Sequence, residues 1–188
     1  MTAHQLEKAD LRRSLIQARR SLPVATWQAQ SQQICDRLVN SPLLQASQTI
    51  LAYFSIRQEP DLSPLFDLPY RWGFPRCEGD RLTWHQWEPG DLLVEGAFGI
   101  LEPAPEAIAI SANEVDLMLI PSVACDRQGY RLGYGGGFYD RLLSQPDWRA
   151  KRTVGIVFDD AFLPTLPVDT WDHPLYAVCT DSQLCIVR

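Results

Sequence analysis

Three strand-length runs dominated by apolar residues, at positions 49–54, 116–121 and 153–158, restrict what this chain can fold into more than any other feature. A strand with one face in water alternates polar and apolar residues, whereas a strand apolar at nearly every position needs cover on both faces. Leu11, Leu15, Ala18 and Leu22 recur at helical spacing, and Trp27, Ile34 and Leu38 do so again after Pro23, with Ser41-Pro42 as the stop signal. Leu65-Phe66 suggests a short helix, residues 70–74 a returning strand, and residues 176–180 and 184–187 two more short strands. Strands alternating with helices predict an α/β protein, a single domain over residues 1–188 built on an open, mostly parallel sheet with helices on both faces. At 188 residues and 46% hydrophobic content, the chain can bury one such core. Residues 76–113, rich in Gly, Pro and Glu, read as irregular, with a hairpin around residues 82–87 and a loop over 98–103.

Open α/β sheets bind ligands beyond the carboxyl ends of their strands, and three polar clusters fall there. Residues 55–61 contain Glu59, residues 126–140 follow the central strand, and Asp159-Asp160 with Asp172 follow a later one. The middle cluster contains Arg131-Leu132-Gly133-Tyr134-Gly135-Gly136-Gly137-Phe138-Tyr139-Asp140-Arg141, with four glycines in five positions. Read as strand, glycine loop and helix start, it is a phosphate-binding candidate, because glycines let backbone amides turn toward an anion. It is neither a Walker A loop, which needs Lys and Ser/Thr after its last glycine, nor a dinucleotide fingerprint, which needs glycine where Phe138 stands. A glycine-rich surface turn that binds nothing remains the competing reading of this segment taken alone.

Other classes recede. A net charge of −6 disfavours nucleic acid, and no aromatic ladder interleaves with a basic patch. No apolar stretch approaches the ~20 residues of a membrane span, and the N-terminal stretch is polar and charged, so a cytoplasmic protein with no membrane partner is expected. Five scattered cysteines without a CxxC pair indicate neither a disulfide framework nor a zinc site.

Taken together, Lys8-Ala9-Asp10-Leu11-Arg12, Phe54 with Glu59, Phe74-Pro75-Arg76, Glu102-Pro103, the run 131–140, and Leu166-Pro167 with Asp172 resemble the 5-formyltetrahydrofolate cyclo-ligase family over almost the full length. The resemblance implies ATP-driven cyclisation of 5-formyltetrahydrofolate, with or without a polyglutamate tail, to 5,10-methenyltetrahydrofolate, with Mg²⁺ as cofactor and ATP as co-substrate. It implies that Lys8, Ala9, Asp10, Leu11 and Arg12 contact ATP together with Arg131, Leu132, Gly133, Tyr134, Gly135, Gly136, Gly137, Phe138 and Tyr139. Phe54 and Glu59 would meet the folate, joined by residues 134–138, while Asp140 and Asp172 would hold the metal. Arg131 and Tyr139 are the catalytic positions it implies. Lys8 and Arg12, four residues apart, share a helix face suited to a polyphosphate, although without the family a solvated basic face is the better explanation of them. Many members carry a basic residue where this chain has Gly136, and often one at Tyr134, so one phosphate contact is either absent here or supplied by another basic side chain such as Arg57 or Arg141. A noncatalytic folate-binding protein of the same fold is the alternative.

Overall fold

The computed structural model describes residues 3–187, and in it the apolar runs lie in the middle of a seven-stranded sheet. The strands are β1 (Thr49–Leu51), β2 (Arg71–Glu78), β3 (Arg81–Gln86), β4 (Leu93–Glu95), β5 (Leu101–Pro103), β6 (Leu117–Pro121), β7 (Ala124–Asp126), β8 (Arg131–Leu132), β9 (Arg152–Ile156), β10 (Phe162–Leu163), β11 (Ala177–Cys179) and β12 (Leu184–Ile186). The helices are α1 (Ala3–Arg20), α2 (Val24–Val39), α3 (Pro42–Gln45), α4 (Phe138–Ser144) and α5 (Pro146–Arg149). The large sheet has the order β12-β11-β9-β6-β1-β2-β3, parallel from β11 through β2 and closed at both edges by the antiparallel strands β12 and β3.

Successive strand residues serve opposite faces. Ile50, Leu117, Leu119, Val154 and Ile156 pack with Ile34 and Leu38 of α2, while Leu51, Met118, Ile120 and Val178 pack with Leu142 and Leu143 of α4. Helices therefore cover both faces, which is why these runs lack polar alternation. The two opening helices cover different sheets. Leu11, Leu15 and Ile16 of α1 pack on Val123, Ala124, Leu132 and Leu166, around a small sheet of order β10-β7-β8.

The structure corrects several expectations. Residues 76–113 are more regular than their composition suggests, since β2 runs on to Glu78 and turns at Gly79-Asp80 into β3. Pro75 fits inside this strand because odd residues of β2 face β1, as the bond from the Ala52 amide to the Gly73 carbonyl shows, and β1 ends before Pro75. Its missing N–H falls where there is no partner to bond. The segment 98–103, expected as loop, supplies β5, which pairs with β4. The buried Glu102 organises that hairpin by accepting from the Cys77 amide at 3.0 Å, with Arg76 Nη1 3.7 Å from its other oxygen. Gly96 is required opposite it, because a Cβ there would lie 2.1 Å from Glu102 Cδ. The turn at Leu65 is a 3-10 turn, Ser63–Leu65, and Ser41-Pro42 starts the one-turn α3 as well as stopping α2, with Ser41 Oγ accepting from the Leu44 amide.

The glycine run does not follow β6 by a single loop. β7 and β8 intervene, since the fully buried Asp126 accepts from the amides of Gln128 and Tyr130 at 2.9 Å and from Leu166 at 3.0 Å, folding residues 126–131 into a hairpin. The helix after the glycines is where the motif puts it, α4 starting at Phe138. Among the described residues no helix is long and apolar enough to cross a membrane.

Candidate active site

Helix α1 lies over the glycine loop. Arg12 Nε donates to the Gly133 carbonyl at 2.6 Å, and its guanidinium carbon stands 3.7 Å from where a Cβ on Gly135 would be. Gly135 and Gly137 adopt positive φ, 98° and 70°, alternating with ordinary backbone, so the loop can form a concave nest of amides. Gly135 and Gly136 are exposed and open to a ligand. Lys8, one turn before Arg12, points instead at Asp169 (2.7 Å) and Asp172 (2.6 Å) and is only 12% exposed. Burial pulls its pKa down, but hydrogen bonds and charge from the two aspartates outweigh this and leave it above the ordinary lysine value.

The segment after β1 departs from the sheet and forms the second wall. Arg57 and Gln58 both sit in the left-handed region, φ 50° and 56°, a conformation that costs residues with a Cβ about 1–3 kcal/mol each. Three bonds hold them: Gln58 Nε2 to the Leu22 carbonyl (3.2 Å), Arg19 Nε to the Arg57 carbonyl (3.2 Å), and the Glu59 amide to the Ile56 carbonyl (2.9 Å). The result buries the Glu59 carboxylate at 2% exposure, where Oε2 accepts from the Ile56 amide at 3.0 Å and Tyr134 is a neighbour of the carboxylate. Burial raises the Glu59 pKa, opposed by the Ile56 amide and by the charge of Arg19. Phe54, at the start of the same segment, stacks on Phe74 at 4.2 Å between ring centroids, with the Trp87 ring edge-on at 5.1 Å, giving a flat apolar wall.

Arg131 joins the remaining parts. Its Nη2 pairs with Asp140, Nη1 reaches the His173 carbonyl at 3.5 Å, next to Asp172, and its guanidinium carbon lies 5.9 Å from the centre of the Tyr139 ring. Burial and then the Glu59 charge push the Tyr139 hydroxyl pKa up, so it stays protonated and able to donate. Burial likewise pushes the thiols of Cys35, Cys125 and Cys179, all in the core, up to about 12.

Residues 4–181 match the 5-formyltetrahydrofolate cyclo-ligase family. The chain belongs to that family. A 5-formyltetrahydrofolate cyclo-ligase of Mycolicibacterium smegmatis is 34% identical over 187 residues, covering 94% of each chain. One of Escherichia coli is 33% identical over 179 residues, covering 89% of this chain and 97% of the relative. The solution structure of the Aquifex aeolicus 5,10-methenyltetrahydrofolate synthetase superposes with a TM-score of 0.86 at 31% identity, covering 96% of this chain and 93% of that one. Membership makes the chain a ligase of one-carbon folate metabolism, built on the open α/β fold that the apolar runs predict.

Within the cyclo-ligase frame, the structure brings most of the expected positions together. Arg12 meets Gly133 and Gly135, Lys8 meets Asp172, Arg131 meets Asp140 and Tyr139, and Tyr134 meets Glu59. Asp10 and Leu11 turn elsewhere: Asp10 is 72% exposed and pairs with Arg13, and Leu11 packs in the small core, leaving Ala9 half-buried between them. Phe138 faces out of the loop toward Phe98, at 6.0 Å, on the turn that joins β4 to β5. At Gly136, where a basic residue is common in the family, Arg141 Nη2 donates to the glycine carbonyl at 2.8 Å, and Arg57 lies 5.5 Å from the centre of the Tyr134 ring. Sequence reasoning missed Asp169, which shares Lys8, and Arg19, which donates to the Tyr134 hydroxyl. Helical spacing was the available signal for Arg19, because positions 8, 12 and 19 fall on one face of α1.

Proposed function

We propose that this chain catalyses the ATP- and Mg²⁺-dependent closure of 5-formyltetrahydrofolate to 5,10-methenyltetrahydrofolate, with release of ADP and phosphate. The observation that carries this is the pair of hydrogen bonds from Arg19, which donates to the Tyr134 hydroxyl of the glycine loop and to the Arg57 carbonyl two residues before the buried Glu59, and so joins the loop suited to a triphosphate to the carboxylate suited to a pterin. Phe54 supplies flat apolar contact for the ring, and Glu59 accepts from its N–H groups. The amides of residues 135–137, with Arg12 and Arg131, hold the phosphates.

In this arrangement the formyl oxygen attacks the γ-phosphorus and ADP leaves. The nitrogen at position ten then adds to the activated carbon, its N–H proton passes to the departing phosphate or to water, and the phosphorylated oxygen departs as phosphate. No side-chain nucleophile is required. The protein aligns the two substrates, while Arg131 and the Tyr139 hydroxyl offset negative charge on the transferring group. Asp140 and Asp172 suit Mg²⁺, which usually takes one or two carboxylates and leaves its other positions to water and phosphate oxygens. When bound, the ion draws charge from the phosphates and so eases their transfer. Each of these carboxylates already pairs with a cation of the phosphate site, Asp140 with Arg131 and Asp172 with Lys8, so binding of the metal-nucleotide complex exchanges partners without leaving a charge uncompensated.

The test is the absorbance of the protein with 5-formyltetrahydrofolate and Mg²⁺, with and without ATP, beside Asp140→Ala. The expected result is a methenyl chromophore that needs ATP and is lost in the variant. Folate binding without a chromophore would leave a noncatalytic binder of the same fold.

A further inference from the structure

Helix α1 has a third inward-facing cation. Arg13 and Arg20 are exposed, but Arg19 is 9% exposed and lies on the same side as Lys8 and Arg12. A buried guanidinium is costly unless its donors are used. Here Nη2 donates to the Tyr134 hydroxyl, Nε donates to the carbonyl of the strained Arg57 at 3.2 Å, and the guanidinium carbon stands 5.7 Å from the centre of the Tyr134 ring.

Donor chemistry sets the direction of this chain of bonds. A guanidinium cannot accept a hydrogen bond, so the Tyr134 oxygen must accept from Arg19, which leaves its single hydrogen free to turn toward the neighbouring Glu59 carboxylate. Glu59 takes one hydrogen from the Ile56 amide and keeps acceptor capacity for the Tyr134 hydroxyl beside it and for a ligand. Were that carboxyl neutral, it would carry a hydrogen of its own and present a donor to the ligand instead.

We propose that Arg19 is a positioning residue of the folate site, acting through Tyr134 to hold Glu59 as a hydrogen-bond acceptor and so selecting ligands whose ring edge donates N–H. The inference rests on the reading that Glu59 meets the folate. Arg19 also ties three segments together, since it fixes the loop after β1 through the Arg57 carbonyl and the glycine loop through Tyr134.

The experiment measures KM for 5-formyltetrahydrofolate and for ATP, with melting temperature, in Arg19→Met, Arg19→Lys, Glu59→Gln and Arg19→Met/Glu59→Gln. Loss of a charge-assisted link predicts that Arg19→Met raises the folate KM about ten-fold or more, keeps the ATP KM within about two-fold, and is partly rescued by Arg19→Lys. In the Glu59→Gln background, Arg19→Met should add less than about two-fold, because the acceptor it serves is gone. The proposal is overturned if Arg19→Met moves both KM values equally, keeps its full effect beside Glu59→Gln, or changes only the melting temperature. Should Arg19→Met not fold, Arg19→Lys compared in the two Glu59 backgrounds tests the same coupling, because lysine keeps the charge but loses the fork that reaches both oxygens. A normal folate KM in Glu59→Gln would overturn the site assignment and this inference together. An impaired Glu59→Gln beside an unimpaired Arg19→Met would overturn this inference alone.

Discussion

The two halves of the site handle charge in opposite ways. On the proposed folate side, Glu59 is buried, tied to the amide of Ile56 and neighboured by Tyr134 and a buried Arg19, in the segment that begins at the packed ring of Phe54. On the phosphate side, the glycine backbone is exposed and the charged groups sit in ion pairs, Lys8 with Asp169 and Asp172 and Arg131 with Asp140. In the proposed function, a flat ring edge would meet groups that the fold has already desolvated and aimed. A highly charged metal-nucleotide complex would meet pairs that can open, because removing that much charge from water in advance would be too costly.

That contrast breaks most visibly at Arg131. Arg131→Ala should lower turnover about 10²–10³-fold while leaving the folate KM nearly unchanged. Steady-state kinetics in both substrates is the check, and an equal rise in the folate KM would mean that the halves are not separable. Next comes Glu59→Gln, expected to raise the folate KM about ten-fold to a hundred-fold. It should nonetheless leave stability at pH 7 unchanged or higher. Burial raises the folded-state pKa of Glu59, so its charge opposes folding at neutral pH, and that penalty disappears once the pH falls below the unfolded value near 4.5. Melting curves from pH 7 to pH 4 should show the gap between variant and parent closing as the pH falls.

The phosphate side is sharpened by Asp172→Asn. With Lys8 partly released, this variant should bind ATP without Mg²⁺ several-fold more tightly than the parent, and should gain less from adding Mg²⁺. Calorimetry with and without chelator measures both, and weaker metal-free binding would show that the Lys8–Asp172 pair is not exchangeable. The smallest expected effect is that of salt. Raising ionic strength from about 0.05 to 0.3 M should weaken ATP a few-fold and scarcely touch the folate, because buried pairs are screened less than exposed ones.

Much of this was legible in the chain. The strands of the sheet centre announced themselves because both of their faces are covered, and the glycine run announced a backbone that needs positive φ. The β4–β5 hairpin did not, because its pairing depends on a buried Glu102 meeting the Cys77 amide from another strand. Arg19 was hidden among the arginines of α1, with Arg12, Arg13, Arg19 and Arg20 looking alike in a polar stretch until one was seen to be buried. Local periodicity and turn chemistry are properties of neighbouring residues, so the sequence by itself determined the α/β class, the position of α4 and the glycine loop, and the family. Which carboxylate is buried, which cation faces it, and that the proposed metal ligands already hold Lys8 and Arg131 depend on contacts between residues 9 to 164 positions apart. Only the tertiary structure decided those, because burial and pairing are set by what packs against a side chain rather than by what precedes it.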